Sequence, residues 1–140
     1  MTHTEGVQCA HHIDFVVRDL AAATDRFQTI LGVDPLPREQ LEDRGVELVR
    51  FEVGDLWIIL VQPVTEDSPV QKFLDRHGEG FFHIAFKVED VEAIAGRLEA
   101  EGVQLMNRVP RTGVEGWKLI DIEMEDTFGV YTQLIEEPSG

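Results

Sequence analysis

The sequence contains an internal repeat, and this repeat limits the folds that the chain can adopt. Residues 12–19 (HIDFVVRD) return as residues 83–90 (HIAFKVED), an offset of 71 residues in a chain of 140. Each copy leads into a segment of helical periodicity that ends on a Gly-Val pair, at residues 32–33 and 102–103. A repeat of about half the chain predicts two similar modules packed about a pseudo-twofold axis.

The pattern of apolar residues gives both modules the same order of elements, β-α-β-β-β. Module one, about residues 8–64, is predicted to have strands at 10–18, 46–53 and 56–62 and a helix at 20–31, with an edge segment marked by Pro35 and Pro37. A bridging helix follows at about 66–77. Module two, about residues 80–136, is predicted to have strands at 81–88, 103–108, 117–124 and 130–135, a helix at 91–100 and a loop at 110–116. The fold class is therefore α+β, in a single domain.

The charge balance and the lack of long apolar runs argue against several kinds of partner. The formal net charge is −15, from 27 acidic and 12 basic side chains, which opposes the electrostatic attraction that drives binding to nucleic acid. No run approaches the roughly 18 apolar residues of a membrane span, and residues 1–8 lack the features of a signal peptide. A single cysteine, Cys9, is in keeping with a reducing compartment. We expect a cytoplasmic protein that binds neither nucleic acid nor a membrane.

His12 and His83 occupy the same place in the two copies of the repeat. Strand alternation turns both away from the helix-covered side, so a pseudo-twofold axis could bring the two imidazoles together. Imidazole is the commonest metal ligand, and one interpretation is therefore a shared metal site. The alternative is that each imidazole is a core group satisfied by hydrogen bonds.

Ile59 and Gln133 form a second corresponding pair, on the last strand of each module. Gln133 is polar in an otherwise apolar strand, so we expect it to have a buried hydrogen-bonding partner. Ile59 can coordinate nothing.

These features, with further motifs, make the chain resemble the vicinal oxygen chelate superfamily, which includes glyoxalase I, bleomycin-resistance proteins and extradiol dioxygenases. Within it the chain is most similar to the methylmalonyl-CoA epimerases. The resemblance extends over nearly the whole chain. It is carried by residues 12–13 (HI), 18–20 (RDL), 31–33 (LGV), 65–69 (TEDSP), 72–74 (KFL), 82–86 (FHIAF), 101–105 (EGVQL) and 126–130 (DTFGV).

The resemblance implies two βαβββ modules that form one U-shaped, eight-stranded mixed sheet with the helices outside. It also implies one divalent metal ion (Co, Ni, Zn, Mn or Fe) at four positions, which match His12, Ile59, His83 and Gln133. Two of them depart from the family pattern, since Ile59 replaces an acidic or amide ligand and Gln133 replaces a glutamate. A site of His12, His83 and Gln133 would be neutral and would bind the ion weakly, so a protein without metal stays an alternative.

The function implied is that of a small isomerase (epimerase) or lyase in which a metal ion assists proton transfer next to a carbonyl group. Two alternatives stay open. One is a metal-free protein that binds or sequesters a hydrophobic small molecule, and the other is an extradiol-type dioxygenase with Fe(II). In each case the partner is a small molecule, and the resemblance also implies a homodimer.

Carboxylates and aromatic side chains complete the predicted site. Asp14 shares the His12 face by alternation and is the candidate base, the alternative being a salt bridge to Lys87. Glu47 is a further candidate base. The candidate pocket wall is apolar and consists of Trp57, Ile59, Val61, Trp117 and Tyr131; the alternative is that these residues are ordinary core.

Overall fold

Eight strands and three helices follow one another in residues 6–139, the part of the chain that the computed structural model describes. The strands are β1 (Cys9–Val16), β2 (Glu39–Leu41), β3 (Val46–Val53), β4 (Leu56–Pro63), β5 (Gly80–Lys87), β6 (Arg111–Thr112), β7 (Lys118–Ile122) and β8 (Thr132–Glu136). The helices are α1 (Leu20–Leu31), α2 (Pro69–His77) and α3 (Val91–Ala100). Within the described residues, no helix is long and apolar enough to cross a membrane.

The eight strands form one mixed sheet in the order β2-β3-β4-β1-β5-β8-β7-β6. β1 runs parallel to β4, and β5 runs parallel to β8. The pairs β2–β3, β3–β4, β6–β7 and β7–β8 are antiparallel. This confirms the predicted α+β class with an eight-stranded mixed sheet.

The chain divides into two compact units, and each has its own apolar core. In the unit His12–Phe82, α1 packs on β3 and β4 around four buried side chains, Leu20, Val49, Phe51 and Leu60. In the other unit, α3 packs on β7 and β8 around Val91, Ile94, Ala95, Ile120, Ile122 and Leu134. The two cores thus use equivalent elements of the repeat.

The repeat is also visible in how α1 and α3 begin. Asp19 caps α1 by accepting from the backbone N–H of Ala22, and Asp90 caps α3 in the same way. The first N–H of each helix is bound by a side chain from the last strand of its module: Leu20 donates to Gln62 Oε1 (2.7 Å) and Val91 to Glu136 Oε1 (3.0 Å). Such bonds satisfy N–H groups that have no partner within the helix.

One predicted strand is wrong. Residues 103–108 form no named strand, and only Leu105 makes an isolated bridge, to Ile122. Asn107 bonds through its side chain to the carbonyls of Val109 and Leu119 and to the N–H of Asp121. Asparagine side chains compete with ladder hydrogen bonds in this way, so the edge strand forms later, as β6, within the predicted loop.

Gly45 holds the turn between β2 and β3 against the segment that leads into α2. It has φ +65°, its carbonyl accepts from Val64 N (2.7 Å), and a Cβ here would overlap the hydroxyl of Thr65 and lie 3.2 Å from Ser68 Cβ. Gly45→Ala is therefore expected to lower the free energy of unfolding by about 2 kcal/mol, because left-handed strain and overpacking add. Urea unfolding measures the difference.

Gly54→Ala is the matched control for this prediction. Gly54 has φ +61°, and nothing lies within 4 Å of the place that a Cβ would occupy. Gly54→Ala should therefore lower the free energy of unfolding by about 1 kcal/mol, from backbone strain alone. Equal losses in the two variants would contradict the packing role of Gly45.

Candidate metal site

His12 and Asp14 lie two residues apart on β1, on one face of the sheet. Both are buried, with 3% and 8% of the residue exposed. His12 Nε2 lies 3.7 Å from Asp14 Oδ1, a distance for electrostatic attraction rather than a hydrogen bond. The face predicted for these two side chains is thus an interior one, where an imidazole and a carboxylate are neighbours.

Ile59, on the neighbouring strand β4, stands where the family pattern has a metal ligand. Asp14 is the register partner of Ile59 in the parallel pair β1–β4, so both side chains point to the same side of the sheet. Ile59 is 3% exposed and apolar. A carboxylate is therefore present one strand away from the position where the family resemblance expects a ligand.

Arg50 is a buried cation beside this position, and sequence reasoning missed it. It is the register partner of Ile59 on β3 and is 4% exposed. Its Nε donates to Glu39 Oε1 at 2.8 Å, and its guanidinium lies 4.7 Å from the ring centroid of Trp57. The signal was a charged residue within the apolar run 48–51, which calls for a buried partner.

Glu47, the further candidate base, points to the face of the sheet opposite to Arg50 and Ile59, because it lies three residues before Arg50 on β3. Its Oε1 accepts from Arg38 Nη1 (2.9 Å) and its Oε2 from Gln40 Nε2 (3.1 Å). Both carboxylate oxygens are thus engaged by neighbours from the β2 side.

His11 and His12 are adjacent and both buried, but alternation points them to opposite faces. His11 Nε2 lies 2.7 Å from Glu137 Oε1, and its ring meets the edge of Trp117 at 4.6 Å between centroids. Lys87 is the alternative partner that the sequence offers for Asp14, and its Nζ lies 3.7 Å from Glu137 Oε2. This local pairing of His11 leaves His12 as the histidine of β1 on the candidate-site face.

His83 is the matching histidine on β5, in the second unit. It is 6% exposed, and its ring centroid lies 5.2 Å from that of Tyr131. Within the described residues, His12, Asp14 and His83 form a group that could hold a metal ion. Two imidazoles and one carboxylate suit Zn, Mn, Fe, Co or Ni, so the residues present fit such an ion.

Gln133 has the buried partner that the sequence predicted, and that partner is Asp121. Gln133 is 1% exposed and donates through Nε2 to Asp121 Oδ1 at 2.9 Å. The two residues are register partners in the antiparallel pair β7–β8 and so share one face.

Asp121 in turn binds Arg111 on β6. Arg111 donates through Nε to Oδ2 (2.8 Å) and through Nη2 to Oδ1 (3.3 Å). Burial lowers the pKa of Arg111, but the charge and hydrogen bonds of Asp121, with a contribution from Tyr131, outweigh it and raise the pKa. Sequence reasoning missed this ion pair, although Asp121 stands in an apolar run as Gln133 does.

The residues proposed as pocket wall are largely interior. Ile59 and Val61 are each 3% exposed, Trp117 is 5% and Tyr131 is 8% exposed, and Trp57 is partly buried. Such burial is found both in a protein core and in the wall of a water-free pocket, so the pocket stays a prediction.

Comparison with known proteins identifies relatives of the chain. Residues 11–120 match the model of the glyoxalase/bleomycin resistance protein/dioxygenase superfamily. The Bacillus subtilis (strain 168) uncharacterized protein YqjC is 35% identical over 129 residues, which are 92% of this chain and 91% of YqjC. The ethylmalonyl-CoA/methylmalonyl-CoA epimerase of Cereibacter sphaeroides is 28% identical over 126 residues, 89% and 94% of the two chains.

A solved structure extends the likeness to three dimensions. The crystal structure of methylmalonyl-CoA epimerase from Mycobacterium tuberculosis superposes with a TM-score of 0.91 at 30% identity, covering 99% of this chain and 94% of that one. The fold is therefore shared along nearly the whole chain.

Proposed function

Because this chain belongs to the glyoxalase/bleomycin resistance protein/dioxygenase superfamily, we propose that it is a metal-dependent, epimerase-like enzyme. It moves a proton at the carbon next to a carbonyl group of a small-molecule substrate. The residues that hold the metal are His12, Asp14 and His83. The names of the relatives suggest a 2-alkylmalonyl thioester as the substrate class.

One observation carries this proposal. The potential ligand atoms of His12, Asp14 and His83 all lie within 4.8 Å of one another, and all three side chains are buried. Side chains that share one ion need ligand atoms this close, since each lies about 2 Å from the metal. The carboxylate of Asp14 also supplies the negative charge that a set of His12, His83 and Gln133 lacked.

This assignment changes the predicted role of Asp14 from base to ligand. A bound divalent ion would stabilise the negative charge that develops on the carbonyl oxygen as the proton leaves. The buried walls formed by Ile59 and Val61 on β4 keep water from this part of the unit. Glu47 faces the side of β3 opposite to Arg50, which is the register partner of Ile59, so we assign no proton transfer to it.

Solvent exchange at the substrate tests the proposal. The purified protein is expected to bind about one equivalent of Co, Ni, Zn or Mn and to gain about 2.7 kcal/mol of stability at a free metal concentration of 100 Kd. In D₂O, the metal-loaded protein should then place deuterium at the α-carbon of methylmalonyl-CoA, because the proton lost from carbon is replaced from solvent. NMR or mass spectrometry of the thioester reads out the exchange.

The controls separate the rival functions. Metal below about a tenth of an equivalent, with no rise in melting temperature on adding metal, would overturn the proposal and favour a metal-free binding protein. Metal binding without deuterium entry would remove this substrate class and leave the metal site standing.

The donor set also favours a second candidate, an Fe(II) dioxygenase. Two histidines and one carboxylate are the ligand set of many non-haem Fe(II) oxygenases, and the same three residues offer it here. Oxygen uptake with a catechol after anaerobic loading with Fe(II) would support this candidate. A lack of uptake under conditions where Fe(II) is bound would exclude catechol cleavage.

A further inference from the structure

Glu39 and Arg50 form an ion pair that joins the edge strand β2 to β3. Arg50 Nε donates to Glu39 Oε1 at 2.8 Å, and the arginine side chain is 4% exposed whereas that of the glutamate is 29% exposed. A buried cation needs a counter-charge of this kind, so Glu39 has a structural role. Its position relative to the candidate metal site gives it a second one.

The register of the strands places this pair on the face that carries two of the proposed metal ligands. Arg50 is the register partner of Ile59, and Ile59 is the partner of Asp14, so the three side chains form one row across β3, β4 and β1. In a neighbouring row Trp57 is the partner of His12, and its ring centroid lies 4.7 Å from the Arg50 guanidinium. The ion pair thus faces these ligands across β4, within one compact unit.

The width of this row suits a small carbonyl compound. Neighbouring strands lie about 4.8 Å apart, so β1 and β3 are about 10 Å apart, with the apolar side chain of Ile59 between them. A substrate whose carbonyl oxygen points toward Asp14 on β1 would turn its α-carbon toward β3. The nearest charged groups on that side are those of Arg50 and its partner Glu39.

The carboxylate of Glu39 has one oxygen that no other protein group uses. Oε1 accepts from Arg50, and among the described residues no further hydrogen bond or ion pair involves this side chain. Both oxygens of an ionised carboxylate are acceptors, so Oε2 can take a proton while Oε1 stays fixed. The two carboxylates considered above are unsuited to this role, because Asp14 is a proposed ligand and Glu47 points to the opposite face.

We propose that Glu39 is the proton acceptor of the reaction and that Arg50 positions it. This inference rests on the proposed function, because a proton acceptor is needed only if a proton leaves the α-carbon. The C–H bond at that carbon breaks, its electron pair moves into the carbonyl group to give an enolate, and the proton passes to Oε2 of Glu39. The carbon then regains a proton, so the step needs no oxidant or reductant. Partial exposure of Glu39 lets its proton exchange with solvent.

Deuterium exchange at the α-carbon of methylmalonyl-CoA in D₂O tests this role in the metal-loaded protein. Glu39→Gln keeps the shape of the side chain, and its amide oxygen can still accept from Arg50, but it cannot take a proton from carbon. We expect kcat to fall about 100- to 10,000-fold, the usual contribution of a general base. The KM should stay unchanged, because the interaction is made in the transition state. Calorimetric titration with Mn²⁺ should likewise give the wild-type Kd.

Two matched controls show whether the position of the carboxylate matters. Glu52→Gln removes an exposed carboxylate from the same face of β3, and Glu47→Gln removes one from the opposite face. Both variants should exchange deuterium at the wild-type rate. A loss in either as large as the loss in Glu39→Gln would overturn the assignment to Glu39.

Rescue by added formate separates a proton acceptor from a structural partner of Arg50. Glu39→Ala removes the whole carboxylate, and formate should raise its exchange rate while leaving that of the wild type unchanged. If folded Glu39→Ala does not respond to formate, or if Glu39→Gln keeps more than about a tenth of the wild-type kcat, the base role alone is wrong. A wild type that binds metal but exchanges no α-hydrogen would overturn the proposed function, and the base role with it.

Discussion

His12→Ala is expected to abolish the metal-dependent rise in melting temperature. His12 is one of three buried side chains that could share a metal ion, and the other two are not enough to hold a divalent ion tightly. Loss of an orienting partner alone typically costs 10- to 100-fold in metal affinity, so loss of a ligand should weaken binding by more than about 100-fold. Scanning calorimetry with and without Mn²⁺ or Zn²⁺, and calorimetric titration for the Kd, measure the effect.

The control for this experiment is His77→Ala. His77 is exposed at the end of α2, with its ring against Phe73. The substitution therefore removes an imidazole without changing the proposed site. His83→Ala should behave as His12→Ala does, and His12→Gln keeps a polar side chain if alanine harms folding. Wild-type metal affinity in both His12→Ala and His12→Gln, in protein that is folded without metal, would show that the ion binds elsewhere.

The elements that sequence predicted best are those whose signals are local. The helices α1 and α3 begin at the predicted residues, because Asp19 and Asp90 cap them through bonds to N–H groups two or three residues away. The strand predicted at 103–108 failed because the side chain of Asn107 bonds to backbone groups up to 14 residues away. No local pattern reports such a partner.

In the candidate site, too, local signals were predictable from the sequence and contacts between distant strands were not. The repeat alone predicted His12 and His83 as site residues, and the apolar surroundings of Gln133 predicted that it needs a partner. The identity of that partner depends on the register between β7 and β8, which pairs Gln133 with Asp121. The place of Asp14 beside Ile59 depends likewise on a parallel register between strands about 45 residues apart. Neither register can be derived from the residues of one strand.

Removing the ion pair between Arg111 and Asp121 is expected to lower the free energy of unfolding by several kcal/mol. Arg111→Met would leave the Asp121 carboxylate, whose side chain is 6% exposed, without its cation. Breaking a buried pair by removing one partner costs about 3 to 5 kcal/mol, since the remaining charge stays desolvated. Arg111 is itself 24% exposed, and water can reach part of the pair, so we expect the lower end, a loss of about 3 kcal/mol in the free energy of unfolding.

Urea unfolding of three variants measures this effect and identifies its cause. Arg111→Met with Asp121→Asn should recover most of the loss, because no buried charge is left. Arg108→Met is the matched control: Arg108 pairs with Glu99 at 2.6 Å, but both side chains are nearly half exposed, and such pairs contribute less than about 1 kcal/mol. If Arg111→Met costs no more than Arg108→Met, or if the double variant is no more stable than Arg111→Met, the ion pair between Arg111 and Asp121 does not contribute to stability as expected.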